Sequence, residues 1–191
     1  SMLGDLGLVD ESELGTATGG RAPRLVRFAA RRAAILVATL DQTAIGVGVA
    51  DLSGNLLTEH HEAADLTAPP AELAERLTAL FRWSMERQAP QGGIWGISLS
   101  VPGSVQGTTE GDFLTATPPV LPAWEGFPLV ETLTRDFGVP VWMRSSVETM
   151  TMGELHAGAG LGMRSMLELL CPSREFFSLI HAFNNFLSLS L

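Results

Sequence analysis

Lysine is missing from the 191 residues altogether, and all twelve basic residues are arginine. That removes a phosphate-loop lysine, a Schiff-base lysine and a Ser-Lys pair from the available chemistries. Cysteine is almost as scarce. Cys171 stands alone, which excludes an intrachain disulfide and a Cys-rich zinc site. With no His-Asp pair to support it, the thiol reads as a small buried hydrophobe rather than a nucleophile. Long apolar runs are also lacking. The longest, Ala33 to Ala38, is far too short to span a membrane, and no signal-peptide pattern is seen, so the expected compartment is the cytoplasm with no membrane partner. The formal net charge of −9 makes the chain as a whole an unpromising nucleic-acid binder.

What remains is a globular composition, 46% hydrophobic and 17% charged, enough for a real core and unlike a disordered chain. Residues 1–24 read as loop with a short strand at Leu6, Leu8 and Val9, then a glycine-rich turn at Gly15, Gly19, Gly20 and Pro23. Arg21, Arg24, Arg27, Arg31 and Arg32 crowd together, either as a solvated segment or as a phosphate-contacting edge. Ala33 to Thr39, Ile45 to Ala50 and Asn55 to His60 read as three strands of an antiparallel meander, turned at Asp51-Leu52-Ser53-Gly54. Leu73, Leu77, Leu80, Phe81 and Met85 share one face of a helix over Ala71 to Gln88, with Thr67 as a nearby cap. Ile94 to Val101 is nearly continuous in apolar residues and reads as a central parallel strand. Residues 103–128 read as a long loop, Leu129 to Phe137 as a helix closed by Gly138, and Val139 to Met143 as a buried strand. Ser145 and Glu148 have capping-box spacing at the head of a last helix that carries Val147, Met150, Thr151, Glu154 and Leu155 and stops at Gly158.

The order of these segments resembles one half of a two-lobed fold, and four stretches give the resemblance a name. Leu6-Gly7-Leu8-Val9 with Gly19-Gly20-Arg21-Ala22-Pro23 looks like the wing of a winged helix-turn-helix and its joint. Asp51-Leu52-Ser53-Gly54 looks like an Asp-Leu-x-Gly hairpin. Gly96-Ile97 through Pro102-Gly103-Ser104-Val105 looks like a Gly-Ile-x-x-x-x-Pro-Gly-x-Val segment, with Pro118 and Trp124-Glu125-Gly126-Phe127-Pro128-Leu129 downstream. Pro140-Val141 through Gly153-Glu154 keeps the spacing of a Glu-Asn-Asp-x-Asn…Gly-Glu motif. Together these resemble the ROK family (repressors, open reading frames and sugar kinases), and most of all its sugar-responsive transcriptional repressors. The resemblance implies an α/β chain: an actin-like/ribonuclease-H-like N-terminal lobe, made of a three-strand meander plus parallel strands with helices, preceded by a remnant of a winged helix-turn-helix. It divides the chain into a wing and linker remnant at 1–24, the lobe at 25–166 and an atypical hydrophobic tail at 167–191, so that the chain reads as shortened at both ends relative to the family.

Departures from the family pattern carry the functional reading. By the resemblance, the Asn-Asp pair whose Asp is the kinase base stands here as Ser145 and Ser146, and the following Asn as Glu148. The phosphate loop Asp-x-Gly-x-Thr stands as Thr39-Leu40-Asp41-Gln42-Thr43, with its acid lost and an anion in place of its glycine. No Gly-Thr-Gly loop follows near residue 172, and His181 has no partner cysteines. A hydroxyl is a poor general base near neutral pH, and phosphoryl transfer depends on charge neutralisation. The chain is therefore expected to be no enzyme, with no catalytic residue, no cofactor and no metal.

The expected role is the sensor lobe of a transcriptional regulator. Gly103, Ser145, Ser146 and Glu154 are its sugar-contacting positions by resemblance, and Arg21 and Arg24 its weak DNA contacts. Ser145 and Ser146 also fit a plain helix cap, and Glu154 an ordinary ion-paired carboxylate. His60-His61 reads as surface at a strand end, and Met143, Met150 and Met152 as core. Expected partners are a small sugar or sugar phosphate, DNA only through an incomplete winged helix, and a second copy in a homodimer. The other readings are a degenerate, glucokinase-like sugar kinase that keeps only ligand binding, and a non-catalytic dimerisation module. In the tail, Phe176, Leu179, Ile180, Phe183 and Leu187 fit one helical face behind a Ser173 cap, expected to cover apolar surface or to make the dimer contact.

Overall fold

Alternation of large apolar side chains along neighbouring strands dictates a sheet with one face committed to helices. A computed structural model describes residues 2–14, 24–41, 43–88, 92–108, 111–115, 122–158 and 160–162. The Gly19–Pro23 joint with Arg21, the Pro118 segment, Cys171, His181 and the tail at 167–191 lie outside the described residues. In chain order come α1 (Met2–Asp5), β1 (Val9–Leu14), β2 (Arg24–Phe28), β3 (Ala34–Leu40), β4 (Ala44–Asp51), β5 (Leu56–Ala63), α2 (Pro70–Arg87), β6 (Ile94–Val101), β7 (Ser104–Thr108), β8 (Gly111–Thr115), α3 (Leu129–Phe137), β9 (Val141–Ser145) and α4 (Ser146–Ala157).

The main sheet has five strands in the order β5-β4-β3-β6-β9. β3, β4 and β5 are joined antiparallel as the meander, while β6 pairs parallel to β3 and β9 parallel to β6. Even-numbered β3 residues (Leu36, Ala38, Leu40) and odd-numbered β4 and β6 residues (Ile45, Val47, Val49; Ile97, Leu99, Val101) point to one face, where Leu73, Leu77, Leu80 and Phe81 of α2 and Leu133 of α3 close the main core. Phe81 meets Phe137 edge-on across the two helices, with ring centroids 5.8 Å apart. On the other face, Ile35, Val37, Ala50 and Leu52 pack with Leu8 and Trp95. The mixed α/β sheet with parallel strands and helices is the fold expected from the resemblance.

Several local expectations change. The stretch at 103–128 is not loop throughout: β7 and β8 form an antiparallel hairpin, and Pro122–Trp124 makes one turn of 3-10 helix. Trp124 is buried there and its Nε1 donates to the Leu66 carbonyl at 2.9 Å, which ties this segment to the exit of the meander. Thr67 does not cap α2. Pro69 occupies the N-cap position, while Thr67 N and Oγ1 both donate to Asp65 at 2.9 and 2.6 Å. His60 and His61 lie inside β5 rather than at its end. The last strand starts and ends two residues later than its apolar run suggests, because Ser145 closes β9 and caps α4 at once. On α4 the buried residues are Thr149, Met150 and Gly153, with Val147 exposed. Met143 and Met150 are core and Met152 is half-buried.

In the described part of the N-terminal stretch, a short helix precedes β1, which pairs antiparallel with β2; the expected short strand begins at Val9 rather than Leu6, and the glycine-rich turn at 15–23 lies outside the described residues. Arg24 opens β2, opposite Leu14.

Candidate functional site

Parallel strands carry their carboxyl ends to one edge of a sheet, and in open α/β folds ligands gather there. β3, β6 and β9 are such a set. Thr39 pairs with Ser100 and Val101 with Ser145, so the turn at Asp41–Thr43, the bend at Pro102-Gly103 and the start of α4 line up along one edge.

Each position has a local cause. Asp41 closes the turn between β3 and β4: its Oδ1 accepts Thr43 N at 3.2 Å and Thr43 Oγ1 at 3.4 Å. Gly103 has φ 100, in the left-handed region that a side chain would strain, and this lets the chain leave β6 and turn at once into β7. Ser145 is buried, 8% exposed, and is the N-cap of α4. Its Oγ accepts Glu148 N at 3.2 Å and its own N donates to the Glu148 carboxylate at 3.1 Å, a complete capping box. Thr149 Oγ1 donates to the Ser145 carbonyl at 3.0 Å. Ser146, the first residue of α4, is half-buried.

The four expected sugar positions are thus not all together. Gly103, Ser145 and Ser146 share the edge. Glu154 sits two turns down α4, about 12 Å along the axis from Ser146, with its carboxylate against Gly158 at the helix's far end. Two residues of this region escaped the sequence reading as site positions. The hydroxyls of Thr39 and Ser100, 6% and 0% exposed, have no hydrogen-bond partner. The two residues stand side by side in register on adjacent parallel strands. The signal for Ser100 was the alternation Ile97-Ser98-Leu99-Ser100-Val101, which marks a strand with one apolar and one hydroxyl face. Cations are sparse: the Arg144 guanidinium donates to the Met143 carbonyl at 3.2 Å. Among the described residues no three His, Cys, Asp or Glu side chains gather as a metal site, and no helix is long and apolar enough to cross a membrane.

The model of the ROK family matches residues 29–170. The chain belongs to the ROK family. A curated relative named "Putative xylose repressor", from Caldicellulosiruptor sp. (strain Rt8B.4), is 28% identical over 149 residues, 78% of this chain and 36% of its own length. The chain spans less than half the length of the curated relatives it matches. Among solved structures, a ROK family transcriptional regulator described as a homolog of the E. coli MLC protein aligns with TM-score 0.61 and 16% identity over 83% of this chain and 40% of its own. A ROK hexokinase from Thermus thermophilus aligns with TM-score 0.55 and 21% identity over 66% of this chain and 40% of its own. At such identities the solved structures establish the fold, and ROK regulators and ROK kinases share it.

Proposed function

We propose that this chain is the sensor lobe of a ROK-type transcriptional regulator, catalytically silent, and that a small sugar or sugar phosphate binds along the carboxyl edge formed by β3, β6 and β9. The observation that carries the reading is Ser146 at the head of α4, in the position that the family resemblance gives to the kinase base. A hydroxyl there can hydrogen-bond a sugar oxygen but cannot hold its proton at neutral pH. The similarity to a protein named as a xylose repressor supports a regulator over an enzyme. Gly103, Ser145 and Ser146 are the contact positions in this reading, with Glu154 acting through the helix rather than at the edge. DNA contact would come from the region of Arg21 and Arg24, in a dimer.

Two measurements on the purified chain test this. A coupled assay with ATP, magnesium and a panel of sugars is expected to show no phosphorylation; turnover would return the chain to the kinases. Thermal unfolding with the same sugars is expected to show a rise with at least one of them. Saturation at 100 times Kd stabilises by about 2.7 kcal/mol, which is about 5–10 °C for a chain of this size. Stabilisation by ATP instead would favour the degenerate kinase.

A further inference from the structure

The strand-end edge has two places where a phosphate would find free backbone N–H groups, the turn after β3 and the N-terminus of α4. One of the chain's own carboxylates stands at each. Asp41 takes the Thr43 N–H and hydroxyl, and Glu148 takes the Ser145 N–H while Ser145 Oγ takes that of Glu148. An incoming phosphate would have to displace the Asp41 carboxylate at the first place and lie beside the Glu148 carboxylate at the second. The guanidinium of Arg144 is turned onto the Met143 carbonyl. The polar atoms beside the edge that lack a partner are neutral and buried. Thr39 Oγ1 and Ser100 Oγ, both more than nine-tenths buried one residue before the ends of β3 and β6, lack any partner.

We propose that Asp41 and Glu148 are specificity-determining residues that restrict this edge to neutral, polyhydroxylated ligands and exclude phosphorylated sugars and nucleotides. This rests on the sugar-binding reading above and narrows it. Unpaired hydroxyls in a dry site favour a ligand that brings its own hydroxyls. Two carboxylates along the same strand-end edge oppose one that brings a phosphate.

The test uses the whole chain and two isosteric changes, Asp41→Asn and Glu148→Gln. Both keep the local hydrogen bonds, since an amide oxygen still accepts from Thr43 N and glutamine serves in a capping box, and circular dichroism checks that α4 is retained. Thermal shift and calorimetry are run with D-xylose, D-glucose, glucose 6-phosphate and inorganic phosphate. For the wild type, the neutral sugar that binds is expected to do so at least about tenfold more tightly than a phosphorylated sugar, a gap of about 1.4 kcal/mol, and inorganic phosphate is expected to give no shift. In Asp41→Asn/Glu148→Gln the gap is expected to close and inorganic phosphate to stabilise the fold. Glucose 6-phosphate binding the wild type as well as glucose or xylose would overturn the inference, and so would an unchanged gap in the double variant. If no sugar of either kind binds, the sugar-sensor reading fails. Inorganic phosphate alone then decides: stabilisation confined to the double variant upholds anion exclusion, and its absence overturns it.

Discussion

At the scale of single residues, short polar side chains set the turns that shape the candidate site. Asp51 is buried at the tip between β4 and β5, where its Oδ1 accepts Ser53 N and Asn55 N, each at 2.9 Å. Gly54, at φ 80, completes that turn. Ser145 does the equivalent for α4. Ser145→Ala removes the cap that accepts Glu148 N–H and is expected to cost about 1 kcal/mol, a fall of about 2–4 °C in Tm by calorimetry. The buried hydroxyls behave in the opposite sense. Thr39→Val removes an unpartnered polar group at almost constant volume, so unfolding midpoints in urea are expected to stay or rise. A clear fall would show that the hydroxyl has a partner in solution.

Glu62 offers a pH handle. The fork of Arg76, bonded at 2.6 and 2.5 Å, and secondarily His60 hold its carboxyl below the ordinary value of 4.5, with partial desolvation opposing them. A carboxylate depressed in the folded state contributes stability that is fully present above its unfolded value and is lost as the pH falls through its folded value. Glu62→Gln is therefore expected to lower Tm at pH 7 by a small margin, since such exposed pairs are worth about 1 kcal/mol or less. The difference from wild type should shrink below about pH 4.5; a constant difference down to acid pH would contradict this.

At the scale of elements, helix α2 was legible because Leu73, Leu77, Leu80, Phe81 and Met85 recur at helical spacing, and these five end up buried or half-buried. Helix α3 was legible from three apolar residues and the left-handed Gly138 that stops it. The β7–β8 hairpin was not, because glycine, threonine and proline outweigh any alternation between 103 and 128, and pairing between the two strands supplies what propensity does not. The close approach of β4 to β5 was equally hidden. A Cβ on Gly48 would lie 2.7 Å from the Thr58 carbonyl oxygen, a backbone atom that cannot swing aside. Gly48→Ala is expected to push the edge strand away and destabilise by about 1–3 kcal/mol, with loss of amide-exchange protection largest in β5.

At the scale of the whole molecule, one sheet with helices on its core face supports the site by bringing three separated turns to a common edge. The core that does this is continuous from α2 through β3, β6 and β9. Phe81→Ala, at a fully buried side chain, is expected to cost about 3–5 kcal/mol and to abolish ligand-induced stabilisation by loosening the edge as a unit. A cooperative loss of Tm with ligand response intact would mean that the edge does not depend on that core.

The sequence by itself determined the meander, the amphipathic helix, the capping box and the family, because each is written in local spacing or in a short motif. It also determined the absence of lysine and the serines that stand where the family resemblance places an acid and its partner. Tertiary structure alone decided that Thr39 stands beside Ser100 in register, that the turns bearing Asp41 and Glu148 share one edge, and that Glu154 lies two turns away from Ser146. Those facts depend on strand register and on the rise of a helix, which fix distances between residues that no local pattern connects.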